Sequence, residues 1–241
     1  MAKLKGKQMS KERSQELFFE YAAGVLDDAR RFMIDAHLQM SEHGRASVRV
    51  CEEVGGYLLV KDCAVASMNP TARDRMMDMI DHALHQDAAM QAEEAQVAKQ
   101  CMQTVDMLKA LGLSGALVDH LEESCRHACH TKKWSGWNAR IRYFDVDTGC
   151  SASRMRLVRI DAGTEIPPHS HRGEEMTLLL RGTMRDEYGV YGPGDLIIRH
   201  DGEIHSPIIG DDEDCVCLAL TYRPLKMKCM VRRVFNIFYR F

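Results

Sequence analysis

Residues 10–110 contain a single proline, Pro70, so little in the first half of the chain forbids helix. No apolar run approaches the length needed to span a bilayer. The basic opening residues are not followed by an apolar core or a small-residue cleavage site, so no secretory signal is read and the expected compartment is the cytoplasm. Nine cysteines are an odd and unevenly spread number, which argues against a disulfide framework and for reduced thiols. A formal net charge of -3 gives no overall pull toward nucleic acid or anionic membrane. Internal repeats and low-complexity tracts are also lacking.

What is present is enough chain, 241 residues, for one large or two ordinary domains. The first residues are basic (Lys3, Lys5, Lys7, Lys11, Arg13) and read as the solvated start of a helix. Ser10 is a candidate cap, though Arg13 leaves the capping box incomplete. Leu17, Tyr21 and Val25 then share one face. Met33, Ala36, His37 and Met40 follow in a second helix started by Asp27 or Asp28, which Gly44 is expected to bend or interrupt. Val50, Val54 and Leu58 continue at helical spacing, weakened by Gly55 and Gly56. Asn69-Pro70-Thr71 marks a restart, with Met76, Met79, Ile80, Ala83 and Leu84 beyond it. Val97, Cys101, Val105 and Leu108 form a last stripe, ended by Gly112. Sixteen methionines crowd toward this half, fitting helix packing or a partner surface. Residues 1–110 therefore read as an all-α domain of four or five helices.

Residues 111–133 form a bridge with one short helix, Leu117 to Leu121. Cys125, His127, Cys129 and His130 resemble a metal cluster but lack a paired motif, so helix surface is the expected role. From Trp134 the texture changes. Trp134 to Asp147, Met155 to Ile160, Met176 to Leu180, Tyr188 to Val190, Leu196 to Ile198 and Cys215 to Thr221 read as short strands separated by Gly and Asp turns. This spacing predicts a closed all-β domain over residues 134–241, a jelly roll or barrel.

The densest chemistry lies in residues 163–182. His169 and His171 are two apart, so on an extended strand both imidazoles leave the same face. Glu175 can add an oxygen ligand, and His205 stands in a second segment with its own turns. Three histidines and one carboxylate suit a first-row transition metal: zinc, iron, manganese, nickel or copper. Gly163, His169, His171, Glu175 and Gly182 fit Gly-x5-His-x-His-x3-Glu-x6-Gly throughout. This resembles the first motif of the cupin superfamily. Gly194, Gly202 and His205 keep the spacing of the second, while His200 replaces its usual proline and Ile209 its usual asparagine. The resemblance implies a conical barrel with His169, His171, Glu175 and His205 around one metal. Cys215 and Cys217 place two thiols on one strand face, either as small buried hydrophobes or as a redox pair near the metal.

Across both halves the chain resembles the ChrR-type anti-sigma factors. The matching residues are Tyr21-Ala-Ala-Gly24-Val-Leu26, Ala36-His37-Leu38, His169-Ser-His171-Arg-Gly, Glu175-Met-Thr-Leu, the Gly194-Asp195 turn, His205 and Cys215-Val-Cys217. The resemblance implies an α+β multidomain protein. Its helical domain would bind an extracytoplasmic-function sigma factor, and its C-terminal cupin would sense stress through a metal, zinc first and iron, manganese or nickel as alternatives. The family's helical domain usually holds zinc as well. Here only His37 stands among its ligand positions, the others being Glu12, Ser41 and Gly44, so that second zinc is not expected. Direct contact with nucleic acid or membrane is not expected either. Two other functions fit the cupin motif: a metal-dependent dioxygenase, and a small-ligand-binding cupin with a helical dimerisation domain. A regulator is the reading favoured by both halves together.

Overall fold

The computed structural model of the chain describes residues 13–62, 69, 71–81, 118, 135–136, 138–146, 148, 152–222 and 226–227. The expected cap at Ser10, the stripe from Val97 to Leu108, the helix from Leu117 to Leu121 apart from Val118, and the Cys125 to His130 cluster lie outside these residues. The described helices are α1 (13–22), α2 (Asp28–Met40), α3 (Glu42–Asp62) and α4 (71–81). The strands are β1 (Ser135–Gly136), β2 (Ile141–Val146), β3 (Arg154–Ile160), β4 (His169–Ser170), β5 (Glu175–Arg181), β6 (Met184–Arg185), β7 (Val190–Tyr191), β8 (Leu196–Arg199), β9 (Ile208–Ile209), β10 (Cys215–Thr221) and β11 (Lys226–Met227).

All strand pairs are antiparallel. One sheet runs β1-β2-β3-β10-β5-β8, a second pairs β11 with β4, and a third runs β7-β6-β9. The large sheet is covered on both sides, and its side chains divide by parity. Leu179, Cys215, Cys217, Val158, Ile160 and Ile197 pack with Met184, Tyr191 and Ile209 of the third sheet to fill the barrel. Met176, Leu178, Leu180, Leu218, Leu220, Met155 and Leu157 point outward into a second core made with the helices. This explains why β5 and β10 read as continuous apolar runs rather than alternating ones. The four motif glycines Gly163, Gly182, Gly194 and Gly202 all have positive φ. At Gly182 the requirement is also steric, because a Cβ would meet the Asp214 carbonyl oxygen at 2.6 Å.

Four expectations are settled or shifted by the structure. The break expected near Gly44 falls at Ser41, which ends α2 through its N–H on the His37 carbonyl (2.9 Å) and starts α3 by accepting the Gly44 N–H on its hydroxyl (3.0 Å). Gly44 lies inside the first turn of α3, and its missing Cβ lets the helix close on His37: a Cβ there would stand 2.8 Å from Nε2. Gly55 and Gly56 do not interrupt α3, which continues to Asp62. The strand expected at Tyr188 to Val190 is displaced, because the Asp186 carboxylate accepts the Tyr188 and Gly189 N–H groups and makes that stretch a turn. The strand expected from Trp134 is also split, where the Asn138 side chain caps Arg140 and Ile141.

The helices do not stand apart from the barrel. Leu17 and Phe18 of α1 join Ala29, Phe32, Met33, Ile34 and Ala36 of α2 in one buried cluster with the outer face of the sheet. Fully burying a side chain such as Met33 or Ile34 contributes roughly 1.5–3 kcal/mol. His37 belongs to this buried layer, stacked on Phe18 with ring centroids 5.6 Å apart. Burial lowers its pKa, so it packs as a neutral ring.

Candidate metal centre

Two segments distant in sequence form the site, and backbone pairing joins them at the relevant residues. His169 and His205 exchange both hydrogen bonds, N–H to carbonyl at 3.1 and 3.0 Å. Such an exchange aligns the two side chains on one face of the pair, and their ring centroids stand 4.3 Å apart. His171 turns into the same space, 5.1 Å from the His169 ring and 5.5 Å from the His205 ring. One nitrogen of each of the three rings lies within 4.8 Å of the others, and all three residues are buried. Glu175 begins β5 and points into the barrel. Its Oε2 is 2.8 Å from His171 Nε2 and 3.7 Å from His205 Nε2.

The donor set fits a cation. His169 Nδ1 donates to the Pro167 carbonyl at 2.9 Å, which leaves its Nε2 carrying a lone pair. The closely spaced Pro167 and Pro168 thus fix a tautomer as well as stiffening the approach. His205 Nε2 and His171 Nε2 face each other at 3.4 Å, with the Glu175 carboxylate beside them. Acceptors converging in this way need either protons or a metal. Protonation is resisted at His169, whose pKa is lowered to about 4, first by burial and then by the neighbouring His205. The Glu175 carboxyl is pulled down to about 2 by His171 and the other two imidazoles, against the desolvation that opposes it. An anionic oxygen beside imidazole nitrogens is a donor set that suits a divalent metal.

A surrounding network supports His205. Asp186 Oδ2 lies 3.7 Å from His205 Nδ1 and 2.7 Å from Arg199 Nη2. Arg199 also donates to the Tyr191 hydroxyl at 2.8 Å and lies over the Tyr188 ring, 4.4 Å from its centroid. Register places Arg199 directly opposite Glu175, so this buried charge pair stands beside the histidines. Sequence reading missed both residues. Asp186 looks like an ordinary turn residue, and only its Asp-x-x-Gly spacing to Gly189 hints at its fixed position. Arg199 ends an apolar strand, where a buried arginine is an unusual occupant.

Cys215 and Cys217 are free thiols buried in the barrel core. The Cys217 pKa is raised, first by its hydrogen bond with Cys215 and then by burial, with the Glu175 charge adding to both. The redox reading needs thiolate character, and these surroundings work against it.

The fold is a cupin-like barrel packed against an N-terminal helical region, and three buried histidines in it could hold a metal. Residues 127–223 match the family described as the ChrR cupin-like domain. Over 227 residues, 94% of this chain and 96% of the relative, the sequence is 27% identical to the anti-sigma-E factor ChrR of Cereibacter sphaeroides. A crystal structure of Rhodobacter sphaeroides SigE in complex with the anti-sigma ChrR aligns at a TM-score of 0.61 and 26% identity, covering 86% of this chain and 96% of that one. The similarity to ChrR thus extends over both the helical and the strand-rich part of the chain. Among the described residues, no helix is long and apolar enough to cross a membrane.

Proposed function

We propose that this protein is an anti-sigma factor that holds an extracytoplasmic-function sigma factor through its helices and reads chemical stress through its cupin. The observation that supports this most is the similarity to ChrR along nearly the full length of both chains, rather than over the cupin alone. The surface of α3 suits such a partner. Val50, Val54, Tyr57, Leu58, Leu59 and Val60 are exposed, and Met76, Met77, Met79 and Ile80 of α4 are exposed as well. Exposed apolar surface of this kind marks a docking face. The partner is cytoplasmic, and so on this reading is the protein.

In the cupin, His169, His171, Glu175 and His205 hold one divalent transition metal, zinc first among the candidates. When bound, the metal supplies a fixed positive centre that draws the two ligand segments together. The chain's residues do the rest: Pro167 orients His169, the Asp186–Arg199 pair backs His205, and the apolar barrel floor excludes water. The test is co-expression with the extracytoplasmic-function sigma factor encoded nearest to it. Co-purification and repression of that factor's promoters are expected. Neither occurring with metal-loaded protein would end this reading.

A further inference from the structure

The helices meet the barrel through polar contacts as well as apolar ones, and these contacts are not scattered. Arg13 of α1 forks onto Glu203, Nη1 to Oε2 at 2.8 Å and Nη2 to Oε1 at 3.1 Å, and also donates to the Ile198 carbonyl. Arg30 of α2 donates from Nε and Nη2 to Glu174 Oε1, at 3.1 and 3.0 Å. The Tyr222 hydroxyl donates to Asp27, the N-cap of α2, at 2.8 Å, and Arg30 lies over the Tyr222 ring.

Two of the three barrel partners belong to a segment that carries a candidate ligand, and the third adjoins the strand paired with one. Glu174 directly precedes Glu175. Glu203 is two residues before His205 and fixes the turn there by accepting the His200 N–H at 2.7 Å. Tyr222 follows Thr221, the cross-strand partner of Glu175. The two arginines therefore fasten the helices to the two loops that would move if the ligand residues moved, and Tyr222 fastens them to the strand beside Glu175.

We infer that Arg13–Glu203, Arg30–Glu174 and Tyr222–Asp27 form a clasp that carries the state of the metal pocket to the helices. The inference rests on the proposed ligand set and deepens the proposed regulation. Held by His169, His171, Glu175 and His205, a cation would tie the Arg172–Glu175 and His200–His205 segments to each other. Without it, the two segments keep the His169–His205 backbone pairing and the His171–Glu175 contact but lose the shared ion as a tie. Forked arginine–carboxylate bonds are directional and fail over small displacements, so the loaded and empty pockets differ in their grip on α1 and α2. That difference between states is what a switch requires. From α2 the route continues through His37 and Gly44, whose close approach sets the start of α3. The apolar face of α3 is then presented, or withdrawn, according to the pocket.

The test is hydrogen exchange on the full chain, loaded with zinc and then stripped by a chelator, with no sigma factor present. In the native sequence, stripping is expected to raise amide exchange across residues 13–40 by about tenfold or more, as local opening does. The double variant Arg13→Ala/Arg30→Ala is expected to bind zinc at the native stoichiometry yet exchange quickly in both states. The single Arg30→Ala variant should fall between. Native exchange that ignores stripping overturns the clasp, as does a double variant that keeps the native metal response. A chain that takes up no divalent metal overturns it together with the proposed ligand set. Failure to bind any sigma factor would sink the proposed function while leaving the exchange result to decide the clasp.

Discussion

Helices α2 and α3 are consecutive, joined only at Ser41, and treat their apolar residues in opposite ways. The 13 residues of α2 bury Ala29, Phe32, Met33, Ile34, Ala36 and His37 against α1 and the sheet. The 21 residues of α3 leave Val50, Val54, Tyr57, Leu58, Leu59 and Val60 exposed, and contribute Val48 to the buried core. Periodicity alone makes the two helices look alike. The difference lies in what they face: α2 is part of the fold, whereas α3 has an apolar surface left for something else. The same contrast between sealed and open surface recurs in the barrel, between Asp186 beside the histidines and Asp214 at the rim.

The largest expected effect tests the sealed side. Met33→Ala removes a fully buried side chain between helix and sheet and is expected to cost about 2–5 kcal/mol in urea unfolding. Val54→Ala on α3 should stay within about 0.5 kcal/mol of the native protein. Equal losses would mean that α3 is also part of the core, and the contrast would fail.

The open side is tested by charge. Val54→Asp/Leu58→Asp should leave the urea midpoint nearly unchanged. It should weaken capture of the sigma factor by about 30-fold or more, roughly 2 kcal/mol, because charge in a docking core is poorly tolerated. Isothermal titration against the purified factor measures it. Unchanged affinity would assign that face to another occupant.

Inside the barrel, Asp186→Asn keeps the size of the side chain and an acceptor for Arg199 but removes the charge behind His205. Losing such a backing carboxylate is expected to weaken metal binding by about 10–100-fold. Chelator competition measures it, with circular dichroism to check that the fold persists. Native affinity would mean that the 3.7 Å approach to His205 plays no part in metal binding.

How far the sequence could be read follows the same division. Period-2 geometry was enough to put His169 and His171 on one face, and the cupin resemblance implied that Glu175 and His205 join them, because strand alternation and turn glycines act locally. The strand at Cys215–Thr221 was legible for the same reason. Contacts between the halves were not. Arg13, Arg30 and Asp27 look like ordinary helix-surface charges, and their partners lie 144 to 195 residues away. The doubly apolar runs in β5 and β10 did carry a sign that both sheet faces are covered, but not that α1 and α2 supply the cover. The displacement of the expected helix break from Gly44 to Ser41 has a similar cause. Glycine was weighed by its intrinsic propensity, whereas the structure uses it for a close approach to His37.

At the rim, Asp214 shows how little an open charge pair contributes. It accepts from Arg159 Nη2 at 2.6 Å and Nε at 2.9 Å, and from the Ala162 N–H at 3.0 Å. The Arg159 guanidinium holds its carboxyl below the usual range, assisted by the Ala162 N–H and opposed by partial burial. A depressed folded pKa stabilises the fold above the unfolded value, and that contribution disappears as pH falls through the folded one. Both side chains are about a third exposed, so solvent screening limits the pair to about 0.2–1 kcal/mol near neutral pH. Asp214→Asn should therefore lower stability slightly at pH 7 and match the native protein at a pH below the folded value, as read from paired urea curves. A difference that persisted unchanged into acid would trace the loss to the amide's geometry rather than to charge. Rim and interior would then differ in packing alone, because the ionised form of Asp214 would be contributing nothing.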